Sequence, residues 1–537
     1  MTAGNEDYAR YYYLWHLVAI KALTVKAPPP ADGETCPEID SAIWDFTGPA
    51  LAEAKIALID MGVAPHHPNL KAPDTGPVPA DRVIRDEALD LASHPFGVKY
   101  IDRSAVGAGA EHIEEHVQHL SGIQNPLGIP GLTSQEQRVI AGLRSGFGVK
   151  RYIDAYDDRY AGHGTSCAGL ACGTSFAADQ FGNTGNIAAY YGVDPKSRVI
   201  PITTSISPSP EELIAAFLYA HEKDVHVILF PRDIANPDHW PGYDDRPATV
   251  TEPFYPGLDR HEKTRLHETM RDEPDGDARD ISVAWSTLHK VVEWVSTKIP
   301  VVCAAGNDGR SELIYPASLS GDPANGIISV GAVNYNGYRS GYSNYSADLT
   351  VSAPSDDGEI YNRYQIRLDR DAASATDFHL EDRAALPKHH LKRDGSGDAI
   401  PIVDFAPQRL VTLDVPGPRG YVEGSLAAAV ETRKKAVDDP AGLYTEFGGT
   451  SGASALVAGA IAMMQRKSPN VLNGVQIKAI FKNLETSATR FNNAHWYWSS
   501  AAGTLQADAI NGYTPPPRAE LFGVAGLLDV PLLLTKV

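Results

Sequence analysis

The hydrophobic positions of this chain fall into two kinds of run. One kind is short and unbroken: Ile56–Ile59 closed by Asp60, stretches within Tyr190–Ser205, Val225–Phe230, Pro300–Ala305, Gly326–Val333 and Leu349–Ala353. Unbroken apolar runs fit strands covered on both faces, as in a parallel sheet. The other kind recurs at helical spacing. It predicts helices over Tyr8–Lys26, Pro210–Lys223, Val475–Asn483 and Ser282–Thr297, the last with Trp285, Leu288, Val292 and Val295 on one face. From Thr450 onward, Leu456, Val457, Ala460, Ile461 and Met464 form an apolar stripe with small residues around it, which reads as a helix buried on nearly all sides. Strands and helices alternate, so the expected fold class is α/β: three layers, with a central and mostly parallel sheet flanked by helices and joined by right-handed crossovers.

Three stretches break the alternation. Residues 71–150, 233–281 and 355–443 are polar or rich in proline and charge, and too long to be simple connections, so they are expected to be insertions in one domain spanning 51–537. Residues 1–50 form an N-terminal helical arm that ends in Ala27–Pro30 and a polar loop. A docked helix is the plain expectation for the arm, and a short pro-segment or partner-binding arm the alternative. In the first insertion His112, His116 and His119 have loosely helical spacing, which reads as a solvated helix face, not a metal site.

Several run ends carry chemistry-bearing residues, each with an ordinary structural explanation. Asp60 closes a buried strand, where α/β folds put their ligand crevices, yet Asp-x-Gly is also a common turn. His163 lies between Gly162 and Gly164 at a helix start, where neighbouring backbone can come close. Asn307 follows Ala304-Ala305-Gly306 at the end of a strand; its amide can donate to an oxyanion, although Gly-Asn-Asp-Gly is also simply a turn. Ser451 follows Gly448-Gly449-Thr450 at the start of the apolar helix. It serves there either as an ordinary cap or as a hydroxyl at a site that favours negative charge. A hydroxyl nucleophile needs a base, the base needs a group that fixes its tautomer, and the reaction needs an oxyanion donor. The four residues match those four needs.

Composition narrows the classes. The 537 residues are 43% hydrophobic and 21% charged, with a formal net charge of −20, which disfavours non-specific binding to nucleic acid or an anionic membrane. Cys36, Cys167, Cys172 and Cys303 are too few to staple a chain of this length and lack zinc-site spacing. The first residues have no basic, unbroken apolar signal, so the expected location is cytoplasmic, with no membrane span.

Four motifs, in this order, resemble the subtilisin-like serine proteases, or subtilases. They are Ala57–Leu70 (ALIDMGVAPHHPNL), Gly162–Gly169 (GHGTSCAG), Ala304–Asn307 (AAGN) and Gly449–Ala453 (GTSGA). The family follows the chain order Asp, His, Ser, and the handled chemistry is peptide-bond hydrolysis through an acyl-enzyme. The resemblance implies Ser451 as nucleophile, His163 as general base and then acid, Asp60 as its orienting carboxylate, and Asn307 with the Ser451 N–H as oxyanion donors. It also implies a cleft lined by Phe230, Pro231 and Arg232 on one side and Ala304, Ala305 and Gly306 on the other.

The sequence departs from the family at three places. Ala455 stands where the family usually has proline, Ser166 where it usually has histidine, and Phe230-Pro-Arg-Asp233 replaces the usual Ser-Leu-Gly edge. Pro231 removes a donor from that edge, and Arg232 is expected to bring charge toward the cleft and favour acidic substrate residues. Family members commonly bind calcium; Asp154, Asp157 and Asp158, or Asp275 and Asp277, are candidate ligands without a full pattern, so no cofactor is required. The reading is a narrow-specificity intracellular processing endopeptidase whose partner is a protein or peptide substrate. Its alternative is a catalytically inactive, subtilase-like binding module. Oligomeric state is not legible.

Overall fold

A computed structural model describes residues 14–25, 39–46, 51–65, 67–71, 81–91, 116–119, 128–146, 148–151, 162–174, 190–206, 208–232, 234, 278–307, 312–334, 337, 339–340, 342–356, 391–393, 399–401, 409–416, 420–421, 443–484, 496–499, 504–507, 520 and 522–537. The strands in chain order are β1 (Thr24–Val25), β2 (Ile39–Asp40), β3 (Lys55–Asp60), β4 (Leu89–Asp90), β5 (His116–His119), β6 (Gly148–Arg151), β7 (Arg198–Thr203), β8 (Val227–Phe230) and β9 (Val301–Ala304). They continue as β10 (Ile327–Val333), β11 (Val351–Pro354), β12 (Leu391–Arg393), β13 (Ala399–Pro401), β14 (Leu410–Leu413), β15 (Tyr444–Phe447), β16 (Trp496–Ser499) and β17 (Thr504–Ala507). The α-helices are α1 (Trp15–Ala19), α2 (Ser134–Gly146), α3 (Gly162–Cys172), α4 (Pro210–Glu222), α5 (Ala278–Lys298), α6 (Gly449–Lys467), α7 (Gly474–Lys482) and α8 (Val530–Leu534).

One sheet organises the molecule, in the order β11-β10-β9-β8-β3-β7-β4-β6-β5. From β11 to β4 every neighbouring pair is parallel, and β6 and β5 add an antiparallel edge. The strands are apolar on both faces because both faces are covered. Along β3, Ile56 and Leu58 belong to the core under α3 and α6, while Ala57 and Ile59 belong to the core under α4 and α5. Successive residues of a strand point to opposite faces, so an unbroken run supplies both layers. The α/β, three-layer expectation matches this arrangement.

The segment read as the first insertion builds part of the sheet: β4 and β5 lie within 71–150, and β6 begins in it and ends at Arg151. His116 and His119 therefore sit on a strand, not on the helix face that their spacing suggested; His112 lies outside the described residues. The third insertion likewise supplies β14, which pairs antiparallel with β15 and buries Leu410, Val411 and Leu413 in the core beneath α3. The arm is built into the same core through Leu14, Trp15, Leu17, Ile20 and Trp44. Val530 N–H donates to Ile20 O at 3.0 Å, and Lys21 pairs with Asp529. Among the described residues no helix is long and apolar enough to cross a membrane.

Candidate active site

The residues singled out from sequence sit at the C-terminal ends of β3, β8 and β9 and at the starts of α3 and α6. Asp60 ends the central strand and is almost fully buried. Its Oδ1 accepts the Met61 N–H at 2.8 Å, and its Oδ2 accepts from His163 Nδ1 at 2.7 Å. A carboxylate can only accept, so the proton lies on Nδ1 and Nε2 carries the lone pair. His163 is the second residue of α3 and retains 16% side-chain exposure, with the Phe447 ring edge-on to it at 5.3 Å.

Gly164 explains how the imidazole comes so close to β3. A Cβ on Gly164 would stand 2.1 Å from Gly62 O and 3.4 Å from Asp60 Cβ, so only glycine lets α3 start against the loop after β3. Ser166, where the family usually has histidine, donates its hydroxyl to Leu413 O at 2.8 Å, and Thr412 Oγ1 donates to Ser166 O at 2.7 Å. These two bonds fasten β14 along α3. The departure at Ser166 is therefore a fastening of the third insertion to the helix that carries His163.

Helix α6 begins at Gly449, whose φ of +71° is left-handed, and its N-cap, Gly448, makes no side-chain capping bond. Ser451 is the third helical residue, so capping is not what its hydroxyl does. That hydroxyl donates to Pro231 O at 2.8 Å, across from the end of β8. Asn307 is anchored by its Oδ1, which accepts from Thr450 N–H at 2.9 Å and from Thr450 Oγ1 at 3.0 Å. An N–H is only a donor, so these bonds fix which end of the amide is oxygen. The Nδ2 lies 3.2 Å from the point where a Cβ on Gly449 would stand, beside the nucleophile turn.

The expected cleft residues divide into two sets. Phe230 is buried in the core against Phe217, with ring centroids 5.8 Å apart. Ala305 N–H donates to Val330 O and its carbonyl accepts from Ile314 N–H; Gly306 N–H donates to Thr450 Oγ1 and its carbonyl accepts from Asn344 N–H. The main-chain groups of Ala305 and Gly306 are thus engaged, and Gly306 is bonded to Thr450 of α6, the residue that anchors Asn307. Arg232 does not carry charge into the cleft as expected. It is buried, and it donates from Nη1 to Thr204 Oγ1 at 2.7 Å and from Nη2 to Ile206 O at 2.6 Å. The period of two puts Arg232 on the side of Phe230, so its side chain turns inward and ties the end of β8 to the end of β7. Glu212 stands nearby on α4, pushed up by burial and held back by hydrogen bonds from Ser209 and Ser205.

Cys167 lies one helical turn beyond His163, with its Sγ 4.0 Å from Nδ1. Asp60, His163 and Cys167 present ligand-type atoms within 4.8 Å of one another. Burial, and then the Asp60 charge, push the thiol well up, which favours the neutral thiol beside the imidazole. The acidic residues considered for calcium, Asp154, Asp157, Asp158, Asp275 and Asp277, lie outside the described residues.

The chain is similar to several known proteins. An intracellular serine protease of Paenibacillus polymyxa is 38% identical over 76 residues, which cover 13% of this chain and 22% of that protein. A thermostable alkaline protease of Halalkalibacterium halodurans is 43% identical over 70 residues, 13% of this chain and 18% of the other. The matched stretch thus spans only about a fifth of either relative. Among solved structures, fervidolysin from Fervidobacterium pennivorans, described as a keratinolytic enzyme related to subtilisin, superposes with a TM-score of 0.43 at 16% identity, covering 98% of this chain and 47% of that one. The epidermin leader peptide processing serine protease of Staphylococcus aureus gives a TM-score of 0.43 at 15% identity, covering 91% and 76%. The sequence model of the Subtilase family matches residues 52–497, which contain β3, α3, β9 and the start of α6 with all four motifs. That match spans most of the chain, and the chain belongs to the subtilase family.

Proposed function

We propose that this protein is a serine endopeptidase that hydrolyses peptide bonds through an acyl-enzyme. The observation that carries the reading is the 2.7 Å bond between Asp60 and His163 Nδ1, at the end of the strand beside the start of α6. In this reading Ser451 Oγ attacks the substrate carbonyl carbon and its proton passes to His163 Nε2. The carbonyl oxygen becomes an oxyanion that meets the Ser451 N–H and Asn307 Nδ2. The imidazolium then protonates the leaving amine, the C–N bond breaks, and an ester to Ser451 remains. Water attacks that ester by the reverse proton path and releases the acid product. Asp60 holds the imidazole in one orientation and stabilises its charged form throughout.

The biological part of the proposal is narrow-specificity processing of a protein or peptide inside the cell. The long segments 233–281, just after β8 in the sequence, and 355–443, directly before β15, are consistent with restricted access, and one matched relative is an intracellular serine protease. One observation favours an alternative, an inactive binding module: the Ser451 hydroxyl donates to Pro231 O instead of to the imidazole. The active reading requires the hydroxyl to leave Pro231 O for the imidazole on substrate entry. A fluorophosphonate serine-hydrolase probe tests it directly. Labelling is expected for the wild type and lost in Ser451→Ala and His163→Ala; equal labelling of Ser451→Ala would sink the assignment, and an unlabelled wild type would favour the binding module.

A further inference from the structure

The first amides of α6 have no helical partner of their own, and their destinations decide which one meets an oxyanion. Gly449 N–H donates to Asp356 Oδ1 at 3.2 Å, and Thr450 N–H donates to Asn307 Oδ1 at 2.9 Å. Gly452 N–H closes the first turn on Gly448 O at 3.2 Å. Among the described residues, the Ser451 N–H has no acceptor. The amide beside the nucleophile is thus singled out because its two predecessors are occupied by side chains.

Asn307 was expected at this turn; Asp356 was not. It follows β11, is buried, and is held from several sides. Tyr342 OH donates to its Oδ1 at 2.9 Å, and Ser340 Oγ donates to its main-chain carbonyl at 2.6 Å. Its neighbour Ser355 donates from Oγ to Gly449 O at 2.8 Å. Two consecutive residues therefore clamp the N–H and the C=O of Gly449, the residue with left-handed φ. The approach is close enough that a Cβ on Gly448 would stand 1.9 Å from Asp356 Oδ1.

We propose that Asp356 is a positioning residue for the nucleophile turn: by accepting the Gly449 N–H it holds that turn and leaves the Ser451 N–H aimed at the oxyanion. The inference rests on the reading of Ser451 as nucleophile. It concerns the acceptor, not the charge, because a carboxylate at a helix start opposes a second negative charge there. Asparagine keeps an acceptor oxygen and removes the charge, so it separates the two effects.

The experiment measures the second-order rate of fluorophosphonate labelling, whose phosphoryl oxygen occupies the oxyanion position, for wild type, Asp356→Ala and Asp356→Asn. Urea midpoints check that each variant is folded. Asp356→Ala is expected to label roughly 10- to 100-fold more slowly, somewhat less than the loss of a whole oxyanion donor, with Asp356→Asn staying within about threefold of wild type. Wild-type labelling of folded Asp356→Ala overturns the proposal, and so does Asp356→Asn as slow as Asp356→Ala. If Asp356→Ala does not fold, Tyr342→Phe removes the phenol that orients the carboxylate; slower labelling supports the proposal and an unchanged rate overturns it. An unlabelled wild type removes the nucleophile reading itself, whereas a labelled wild type with an indifferent Asp356→Ala removes only this one.

Discussion

At the scale of single residues, the proposed chemistry depends on a tautomer. Asp60 presents only acceptors to His163, and this puts the proton on Nδ1 and the lone pair on Nε2, where a serine proton has to go. Asp60→Asn offers an N–H at nearly the same place and reverses the preference. We therefore expect kcat on a fluorogenic peptide to fall by on the order of 10⁴-fold while the urea midpoint changes little. A loss below about tenfold would mean that Asp60 does not set the tautomer. Ser166 makes a different prediction. Its hydroxyl is buried against Leu413 O, so Ser166→Ala strands a buried carbonyl and is expected to cost about 1–2 kcal/mol in urea unfolding, with little change in KM. An unchanged unfolding midpoint would show that β14 does not depend on this bond.

At the scale of elements, what was legible depended on whether the cause was local. Helices α4, α5, α6 and α7 and strands β3, β8, β9, β10 and β11 all fall where hydrophobic periodicity put them, because each is decided by its own apolar run. The short strands β4, β6 and β14 were read as insertion because so few residues carry no period; pairing with distant partners makes them strands. Arg232 was misread for a related reason: a charge in sequence looks exposed, but its strand parity and the waiting groups on Thr204 and Ile206 turn it inward. Asp356 was missed because Ser355-Asp356-Asp357-Gly358 reads as a plain turn, and only the approach of α6 brings the Gly449 N–H to it. The fit between elements has its own test in Gly164→Ala. The added methyl would meet Gly62 O at 2.1 Å, backbone against backbone, so α3 must move away from β3. The expected outcome is destabilisation of about 2–3 kcal/mol together with a marked fall in labelling of Ser451. A variant with wild-type stability and labelling would show that the contact is soft.

At the scale of the whole molecule, several buried ionisable groups make stability fall on acidification. Burial holds His16 down at about 3, and burial, partly offset by its bond to Leu443 O, holds His67 at about 4. Both therefore stay neutral in the folded protein while the unfolded chain takes up protons below its ordinary value near 6.5. Their cost is absent above that value and grows as pH falls toward the folded values. Glu136, which joins α2 to α5 through Lys290 and Ser286 and also accepts from Thr133 N–H just before α2, is held down at about 2 despite burial. Its stabilisation is present above the usual carboxylate value and lost as pH falls through the range down to about 2, so all three groups act in the same direction. His16 gives the cleanest separation. It lies on α1 in the core, and neither ring nitrogen has a hydrogen-bond partner among the described residues. Replacing it by leucine removes an unsatisfied donor and a proton-uptake penalty together. At pH 5 the penalty alone amounts to about 2 kcal/mol, taken from the gap between the unfolded value and that pH. His16→Leu is thus expected to raise the urea midpoint slightly at pH 7 and clearly more at pH 5. Equal gains at the two pH values would show that His16 does not titrate between folded and unfolded states, and a loss at both would show that the imidazole's shape, not its chemistry, is what holds the arm in the core.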